Sequence, residues 1–354
     1  MRFHVLGIPH TITNNQFSVC AFTQLILQFC KMMYNRGHHI MHYGHEDSNP
    51  LCNENISVVT DKIWKSIYKH NSIQDFKFDD VVYEQFYKNT INEIYKRKKK
   101  NDFILAFWGV GHKPICDEHN DLITVEPTIG YGNGTFAKYR VFPSYAHYHC
   151  HSGLNIDSHF INNVNYTVIP HYFDLDNFKY SDKKEDYVLF MGRVCDSKGI
   201  DIAMKVTDLL DIKLVVAGQL GHKNKIIDKV VFTDNVEYLG TVGVKERKEL
   251  MSKAKATIIP SIYSEPFGMV QVESLLSGTP IITTDWGAFT EVNLNGITGY
   301  RCQTFNDFID AIKNIDKINS EDCRKQGEKF SFDNIAPMYE KYFNEILNEE
   351  RRLK

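Results

Sequence analysis

A chain of 354 residues exceeds what one hydrophobic core usually organises, so the sequence predicts two domains of roughly 150–180 residues each. Hydrophobic residues make up 43% of the chain and charged residues 24%, which is typical of globular proteins and excludes the disordered and fibrous classes. The formal net charge of −3 gives the chain no general attraction for polyanions, so nucleic-acid binding is not expected.

The eight cysteines are scattered without a CxxC pair, as is typical of reduced intracellular proteins. The first residues lack the basic start and apolar run of a signal peptide. The most apolar helical stretch, residues 17–33, contains five polar side chains and is too short to span a bilayer. The sequence therefore predicts a cytoplasmic protein without a transmembrane segment. The basic run 96–100 favours a solvated helix end, with peripheral contact to a membrane surface as the alternative.

In the first half of the chain, a strand at 2–7, a helix at 17–33 that ends at Arg36-Gly37, and a strand at 40–43 form a βαβ unit. Such a unit implies a parallel sheet with ligand sites at the carboxyl ends of its strands. A helix follows at 81–100, and a strand at 102–108 leads into a glycine-containing loop. A further strand at 164–170 precedes a predicted hinge at 170–178.

After the hinge, apolar β-branched strands alternate with helices. Strands are predicted at 187–191, 213–217, 236–239, 257–259 and 280–283, and helices at 200–210, 245–255 and 268–276. This alternation predicts a doubly wound α/β domain. We therefore expect two Rossmann-like domains, 1–172 and 173–334, with the C-terminal helix at about 335–354 packing back onto the first.

Two glutamates eight residues apart, Glu265 and Glu273, follow a predicted strand. Glu265 lies in the loop before the predicted helix 268–276, and Glu273 lies on that helix. Pro266 and Gly268 favour a tight turn into that helix. The turn leaves free backbone N–H groups at the helix start, those of Gly268, Met269 and Val270. A helix N-terminus carries about half a positive charge and binds phosphate. Carboxylates on both sides of an anion site fit a ligand with hydroxyls flanking a diphosphate, such as a nucleotide sugar.

These residues resemble the E-x7-E motif of the retaining glycosyltransferases of family 4. Further segments match the same family: Gly192-Arg193, Lys198-Gly199, Leu214–Gly218, Val236–Gly240, Gly278-Thr279-Pro280, Gly296–Gly299 and Val168-Ile169-Pro170. The match spans residues 164–343, and the first half of the chain matches only in outline. The resemblance implies the GT-B fold, in which two Rossmann-like domains face each other across a cleft.

The resemblance also implies roles for individual residues. Glu265 would bind a hydroxyl of the donor sugar and Glu273 the ribose hydroxyls, while Arg193 and Lys198 would neutralise the diphosphate. The helix-start amides would join these cations, and the remaining donor-binding positions would be Gly218, Gly240, Thr241 and Val242. The expected reaction moves a sugar from a nucleoside-diphosphate sugar, with UDP favoured, to a glycan or other hydroxyl acceptor. No cofactor and no metal ion are implied.

In the first domain, His112 follows a strand at the position where related enzymes carry a histidine near the anomeric centre of the donor. The alternative is a loop histidine with a structural hydrogen bond. Gly7 and His10, in the first loop, are candidate loop or acceptor residues, although the family usually has a glycine pair there. The aromatic segment 124–149 offers Glu126 and Tyr131 as candidate acceptor contacts.

Two sequence patterns are only weak indications of a metal site. The spacing of His147, His149, Cys150 and His151 fits no standard zinc site, and Asp174-Leu175-Asp176 lies in the predicted hinge, so both favour structural roles. The alternatives to a glycosyltransferase are a GT-B-fold epimerase or phosphorylase, and a non-catalytic protein that binds a sugar nucleotide. The base, the sugar and the acceptor are not defined by the sequence.

Overall fold

The computed structural model describes residues 1–17, 20–69, 76–154, 165–220 and 232–352. The chain forms two units. The first contains Met1–Pro143, His151–Tyr172 and Phe332–Lys354, and the second contains Ser144–Cys150 and Phe173–Ser331.

The first unit is built on a seven-stranded parallel sheet. Its strands are β1 (Arg2–Leu6), β2 (His39–His45), β3 (Glu54–Val59), β4 (Phe103–Leu105), β5 (Ile123–Glu126), β6 (Tyr139–Phe142) and β7 (Tyr166–Val168). Their order across the sheet is β3-β2-β1-β4-β5-β6-β7. The order reverses between β1 and β4, and such a reversal marks the carboxyl edge at which open α/β sheets bind ligands.

Helices flank this sheet: α1 (Ala21–Asn35), α2 (Asp61–Ile67), α3 (Val81–Arg97), α4 (Lys113–Glu118) and α5 (Tyr145–Leu154), whose first six residues belong to the second unit. Helix α1 ends at Asn35 with Arg36 as its capping residue, and Gly37 has a φ of 79°, which confirms the predicted glycine stop. The predicted start at residue 17 is wrong. The Asn14 side chain accepts from the amides of Gln16 and Phe17, and such a local turn competes with a helix.

The second unit contains a six-stranded parallel sheet. Its strands are β8 (Tyr187–Met191), β9 (Lys213–Ala217), β10 (Val236–Gly240), β11 (Ala256–Ile259), β12 (Ile281–Thr284) and β13 (Gly299–Cys302). The order is β10-β9-β8-β11-β12-β13, with Ala256 opposite Val188 and Thr257 opposite Leu189. The reversal here lies between β8 and β11.

Among the described residues of this unit, six helices accompany the sheet: α6 (Ile200–Leu209), α7 (Val244–Lys253), α8 (Met269–Leu276), α9 (Phe289–Val292), α10 (Phe305–Asn314) and α11 (Ser320–Glu328). Short 3-10 helices lie at Gly109–Gly111, Leu175–Asn177, Asp196–Lys198 and Ile315–Lys317. The central strands carry fully buried side chains such as Val188, Leu189 and Val216, because helices cover both faces of the sheet.

The last helix, α12 (Phe332–Arg352), belongs to the first unit. The Phe343 ring packs against Phe3 and Phe103, with ring centroids 4.8 and 5.0 Å apart. The Tyr339 hydroxyl donates to the Pro127 carbonyl at 2.5 Å. Apolar rings and a buried hydrogen bond therefore fix α12 beside β1 and β4. No helix in the described ranges combines the length and the apolar character that crossing a membrane requires.

Candidate functional site

The second sheet brings together two loops that the sequence singled out. Strands β8 and β11 are parallel neighbours, so the loops after them leave the same edge of the sheet. The first loop carries Arg193 and Lys198, and the second carries Glu265 and Gly268. Because the strand order reverses between β8 and β11, this is the point at which open α/β sheets bind ligands.

A close backbone contact holds these loops together. The Ile262 amide donates to the Ser197 carbonyl at 3.0 Å. Gly199 has a φ of 72°, and a Cβ at this position would lie 2.0 Å from the Pro260 carbonyl oxygen. Only glycine permits both the left-handed backbone and this approach. This contact places Lys198, the residue before Gly199, beside the carboxyl end of β11.

Lys198, Tyr263 and Glu265 form a closed hydrogen-bonded group. The Lys198 Nζ donates to Glu265 Oε2 and to the Tyr263 hydroxyl, both at 2.7 Å, and that hydroxyl donates to Glu265 Oε1 at 2.7 Å. Ser261 Oγ donates to Glu265 Oε2 at 3.2 Å. An ammonium has three N–H groups, and the described residues accept from two of them, so one is left for a ligand anion. Tyr263 was missed by the sequence reasoning, although its place two residues before Glu265 was visible.

The electrostatics of this group favour a protonated phenol. Burial, and then the charge of Glu265, raise the pKa of Tyr263, so its hydroxyl remains a donor to the carboxylate. The positive charge of Arg193 is close enough to oppose that rise in pKa. Arg193 is exposed and, within the described part of the chain, its guanidinium has no hydrogen-bond or ion-pair partner. It is therefore available to a ligand.

Helix α8 starts beside Glu265. Gly268, the residue before the helix, has a φ of 74°, and a Cβ there would lie 3.1 Å from Glu265 Cγ and from the Phe289 ring. The amides of Gly268, Met269 and Val270 donate to no other described residue. Free N–H groups at the positive end of a helix dipole can bind an anion, and here they follow closely after Glu265, the partner of Lys198.

Glu273 lies further along α8 and is paired with Arg247 of α7. The Arg247 guanidinium donates to Glu273 Oε2, and the Glu273 side chain is only 8% exposed. This partner was not predicted from the sequence, because the pairing depends on how α7 packs against α8. Both glutamates of the candidate motif are therefore held by a cation from another element, Lys198 for Glu265 and Arg247 for Glu273.

The other predicted donor-side residues lie at the same edge of the sheet. Gly218 follows β9 and its amide donates to the Gly240 carbonyl at 2.7 Å. The Gly192 amide donates to the Ala217 carbonyl at 3.0 Å, which ties the loop after β8 to the end of β9. Thr241 is exposed and Val242 is partly exposed, both in the short segment between β10 and α7.

In the first unit, His112 connects the loops after β1 and β4. Its Nδ1 accepts from the Trp108 amide at 3.3 Å, so its Nε2–H donates to the Gly7 carbonyl at 2.9 Å. Burial lowers the pKa of His112 to about 3 and keeps the imidazole neutral. Both ring nitrogens thus have backbone partners in this structure, and the ring stacks on Phe86.

His10 lies in an aromatic cluster in the loop after β1. Trp108 Nε1 donates to the Tyr83 hydroxyl at 3.0 Å, and the same hydroxyl shares a hydrogen bond with His10 Nδ1 at 2.8 Å. The imidazole stacks on Phe76 with ring centroids 4.4 Å apart. Burial lowers the pKa of His10 to about 3. Nδ1 is thus engaged by Tyr83, and Nε2 is the second polar atom of the ring.

Glu126 and Tyr131, the candidate acceptor contacts, contact each other. The Tyr131 hydroxyl donates to Glu126 Oε1 at 2.7 Å, and the amides of Phe136 and Ala137 donate to Oε2 at 3.1 and 3.0 Å. Glu126 is fully buried, and burial raises its pKa. The carboxylate holds the loop between β5 and β6 in place.

Two groups of potential metal ligands have local contacts of their own. Asp174 caps the 3-10 turn Leu175–Asn177 by accepting from the Asp176 amide at 3.3 Å. In the described part of the first unit, His45, Asp47 and Asp61 bring ligand atoms within 4.8 Å of one another. The Lys65 ammonium lies 2.5 Å from Asp61 Oδ2 and already neutralises that carboxylate.

The sequence of the second half matches a known family. The model of "Glycosyl transferases group 1" matches residues 154–330, which is half of the chain. The chain is 30% identical over 170 residues to an uncharacterized glycosyltransferase, MJ1607, of Methanocaldococcus jannaschii (43% of each chain). It is also 30% identical over 193 residues to the O-antigen chain mannosyltransferase RfbU of Salmonella typhimurium (52% of this chain, 53% of RfbU). The aligned regions span about half the length of these curated relatives.

Solved structures extend the similarity to the whole fold. AviGT4, a glycosyltransferase involved in avilamycin A biosynthesis, superposes with a TM-score of 0.72 at 16% identity and covers 98% of both chains. Anabaena HepE, solved with UDP and glucose, gives a TM-score of 0.70 at 13% identity and covers 97% of this chain and 99% of HepE. The two parallel-sheet α/β domains thus match those of GT-B glycosyltransferases. With the family model matching half of its length, the chain belongs to the glycosyl transferases group 1 family.

Proposed function

We propose that this protein is a retaining glycosyltransferase that moves a sugar from a nucleoside-diphosphate sugar, with UDP the favoured nucleotide, to a hydroxyl of a glycan or other acceptor. The observation that carries the proposal is the Lys198–Glu265 pair beside the free amides of α8, at the reversal of strand order. A cation, a helix N-terminus and a buried carboxylate in one place suit a ligand that joins a diphosphate to a polyhydroxylated ring.

The diphosphate is assigned to the positive groups. The amides of Gly268, Met269 and Val270 bind its oxygens, together with the third N–H of Lys198 and the exposed guanidinium of Arg193. The leaving diphosphate gains negative charge as the bond to the sugar breaks. Fixed positive groups stabilise that charge more than they stabilise the intact donor, which lowers the barrier. These groups provide the charge neutralisation that the reaction needs, so we propose that it requires no metal ion.

The carboxylates are assigned to hydroxyls on either side of the diphosphate. Glu265 accepts from a hydroxyl of the donor sugar, and Glu273 accepts from the ribose. Gly218 and the segment Gly240–Val242 lie near the base. Each carboxylate already has a cation partner in the protein, so its orientation is set before the donor binds.

In this assignment, the transferred sugar keeps the anomeric configuration that it has in the donor. The acceptor oxygen forms a bond to the anomeric carbon on the face that the diphosphate leaves, and the bond between that carbon and the phosphate oxygen breaks. The electron pair goes to the departing oxygen, which takes the acceptor proton. No protein nucleophile is needed.

Other members of the fold group support this choice of donor. HepE has been solved with UDP-glucose, and Staphylococcus aureus TarM with UDP. The RfbU relative is a mannosyltransferase. These statements concern those proteins, and they motivate the donor classes for testing here.

The test is a screen of UDP-, GDP- and ADP-sugars by NMR, first with donor alone and then with simple glycoside acceptors. We expect slow donor hydrolysis and, with an acceptor, a product that keeps the donor's anomeric configuration. Conversion of the donor sugar to its epimer would instead identify an epimerase. Inversion of configuration would refute the retaining assignment, and no turnover and no nucleotide binding would refute the function.

A matched pair of variants tests the site within that screen. Glu265→Gln removes the charge that faces Lys198, so transfer should fall far more than affinity for the bare nucleotide. Glu249→Gln removes a carboxylate from an exposed lysine pair in the same unit, with Lys179 Nζ 2.7 Å away, and should leave transfer unchanged. Equal activity of the two variants would contradict the assignment of Glu265.

A further inference from the structure

The contact between Arg247 and Glu273 joins an arginine near the surface to a nearly buried carboxylate. The Arg247 side chain is 30% exposed and the Glu273 side chain 8%. Arg247 lies in the first turn of α7, where its amide donates to the Gly243 carbonyl at 2.9 Å. One helical turn therefore separates Arg247 from the segment Gly240–Val242, which the proposed function places near the base.

The pairing distinguishes the two oxygens of Glu273. The guanidinium occupies Oε2, and within the described residues no group donates to Oε1. A carboxylate with one oxygen anchored has its second oxygen fixed in space. The planar, pre-organised guanidinium is better suited to this anchoring than a flexible ammonium. Oε1 is thus the oxygen left to accept from a ligand hydroxyl.

We propose that Arg247 is a positioning residue for nucleotide recognition. It anchors Glu273 so that the free oxygen meets the ribose hydroxyls, and it thereby makes the site select ribonucleotides over nucleotides that lack those hydroxyls. This inference rests on the proposed function and adds a residue to it. Arg247 itself does not contact the reacting atoms.

The test compares UDP with 2′,3′-dideoxy-UDP by calorimetry in the wild-type chain and in Arg247→Gln. The wild type should bind UDP more tightly, because only UDP has hydroxyls for Glu273. In Arg247→Gln the UDP affinity should fall about tenfold, as expected for a weakened charge-assisted hydrogen bond, while dideoxy-UDP affinity changes less than about twofold. The preference for UDP should therefore nearly vanish. With a sugar donor, KM should rise and kcat should change little.

A control separates positioning from stability. Arg324→Gln removes an arginine that donates to the Leu276 carbonyl at the other end of α8 at 2.6 Å and pairs with Glu328. That variant should keep the full preference for UDP even if its unfolding temperature falls. If Arg247→Gln does not fold, Arg247→Lys keeps the charge without the planar guanidinium and should also reduce the preference.

Each remaining outcome has one meaning. An unchanged preference in folded Arg247→Gln overturns the positioning role. A rise in the affinity for UDP also overturns it, because Arg247 would then compete with the ribose for Glu273. If the wild type binds none of UDP, GDP and ADP, the proposed function itself fails. Tight UDP binding with an unchanged preference in Arg247→Gln would instead refute only the role of Arg247.

Discussion

Removal of one oxygen atom from Tyr263 tests whether the hydrogen-bonded group with Lys198 and Glu265 serves the transfer step. In Tyr263→Phe the ring stays, and so does its contact with the Lys198 ammonium, which lies 4.8 Å from the ring centroid. The variant loses the donor to Glu265 Oε1 and the acceptor for Lys198 Nζ, both at 2.7 Å. The perturbation is therefore confined to the orientation of two charged groups.

The size of the effect follows from those two bonds. A hydrogen bond to a charged partner contributes about 1.5–3 kcal/mol, and the two bonds share one hydroxyl, so their losses do not add. Glu265 also keeps its bonds from Lys198 and Ser261. We expect a loss of about 1.5–3 kcal/mol of transition-state stabilisation, or roughly 10- to 150-fold in kcat. Affinity for bare UDP should change less than about threefold, because the α8 amides and Glu273 are untouched.

The assay is the rate of sugar release from the donor that turns over in the screen, measured as kcat and KM, with UDP binding measured by calorimetry. Tyr187→Phe is the matched control, since it removes a hydroxyl that donates to the Leu250 carbonyl at 2.7 Å from the opposite end of β8. The control should lose stability and keep its kcat. A kcat of Tyr263→Phe within about twofold of the wild type would refute the reasoning.

Three further predictions concern binding, folding and pH. Glu273→Gln should weaken nucleoside-diphosphate binding by about 1–3 kcal/mol in calorimetry, as expected for lost charge-assisted hydrogen bonds, and unchanged affinity in a folded variant would exclude a ribose contact. Gly199→Ala places a Cβ 2.0 Å from the Pro260 carbonyl oxygen at a φ of 72°, so thermal melts should show a lower melting temperature. Activity should also fall, because the loop that carries Lys198 is displaced. A melting temperature equal to that of the wild type would contradict the close contact. Burial lowers the pKa of His10 and of His112 to about 3, so below a pH of about 6.5 the unfolded chain takes up protons that the folded chain does not. The stabilisation from these histidines is therefore full above that pH and is lost as the pH falls toward 3. The free energy of unfolding should fall by about 1.2 kcal/mol per histidine between pH 7 and 5.5. Urea titrations with no pH dependence in this window would contradict the burial of the neutral rings.

The sequence was most informative where local pattern and tertiary environment agree. The predicted strands 187–191 and 213–217 are β8 and β9 with the same bounds, because strands covered on both faces are continuous apolar runs. In the first unit, β3, β5 and β6 were missed. Strands β5 and β6 are four residues each, and β5 ends in Glu126, a charged residue whose burial depends on amides from the loop that follows the strand.

The residues of the candidate site likewise fall into those that the sequence predicted and those that it did not. Lys198, Glu265 and the start of α8 were found because each lies in a short loop after an apolar strand, and a loop motif can be read along the chain. Arg247 was not found, because nothing along the chain indicates which face of α7 contacts Glu273. For His112, the sequence offered a catalytic and a structural alternative, and the structure adds that both ring nitrogens have backbone partners.

The local amino-acid sequence thus determined which helices and strands form and which charged residues follow a strand. Hydrophobic periodicity, glycines and helix-start signals act over only a few residues. Only the tertiary structure decided the partners. Lys198 and Glu265 are 67 residues apart, and they meet because β8 and β11 are neighbours in the sheet. Strand order and helix packing are set by the burial of the whole apolar surface, which no short segment encodes.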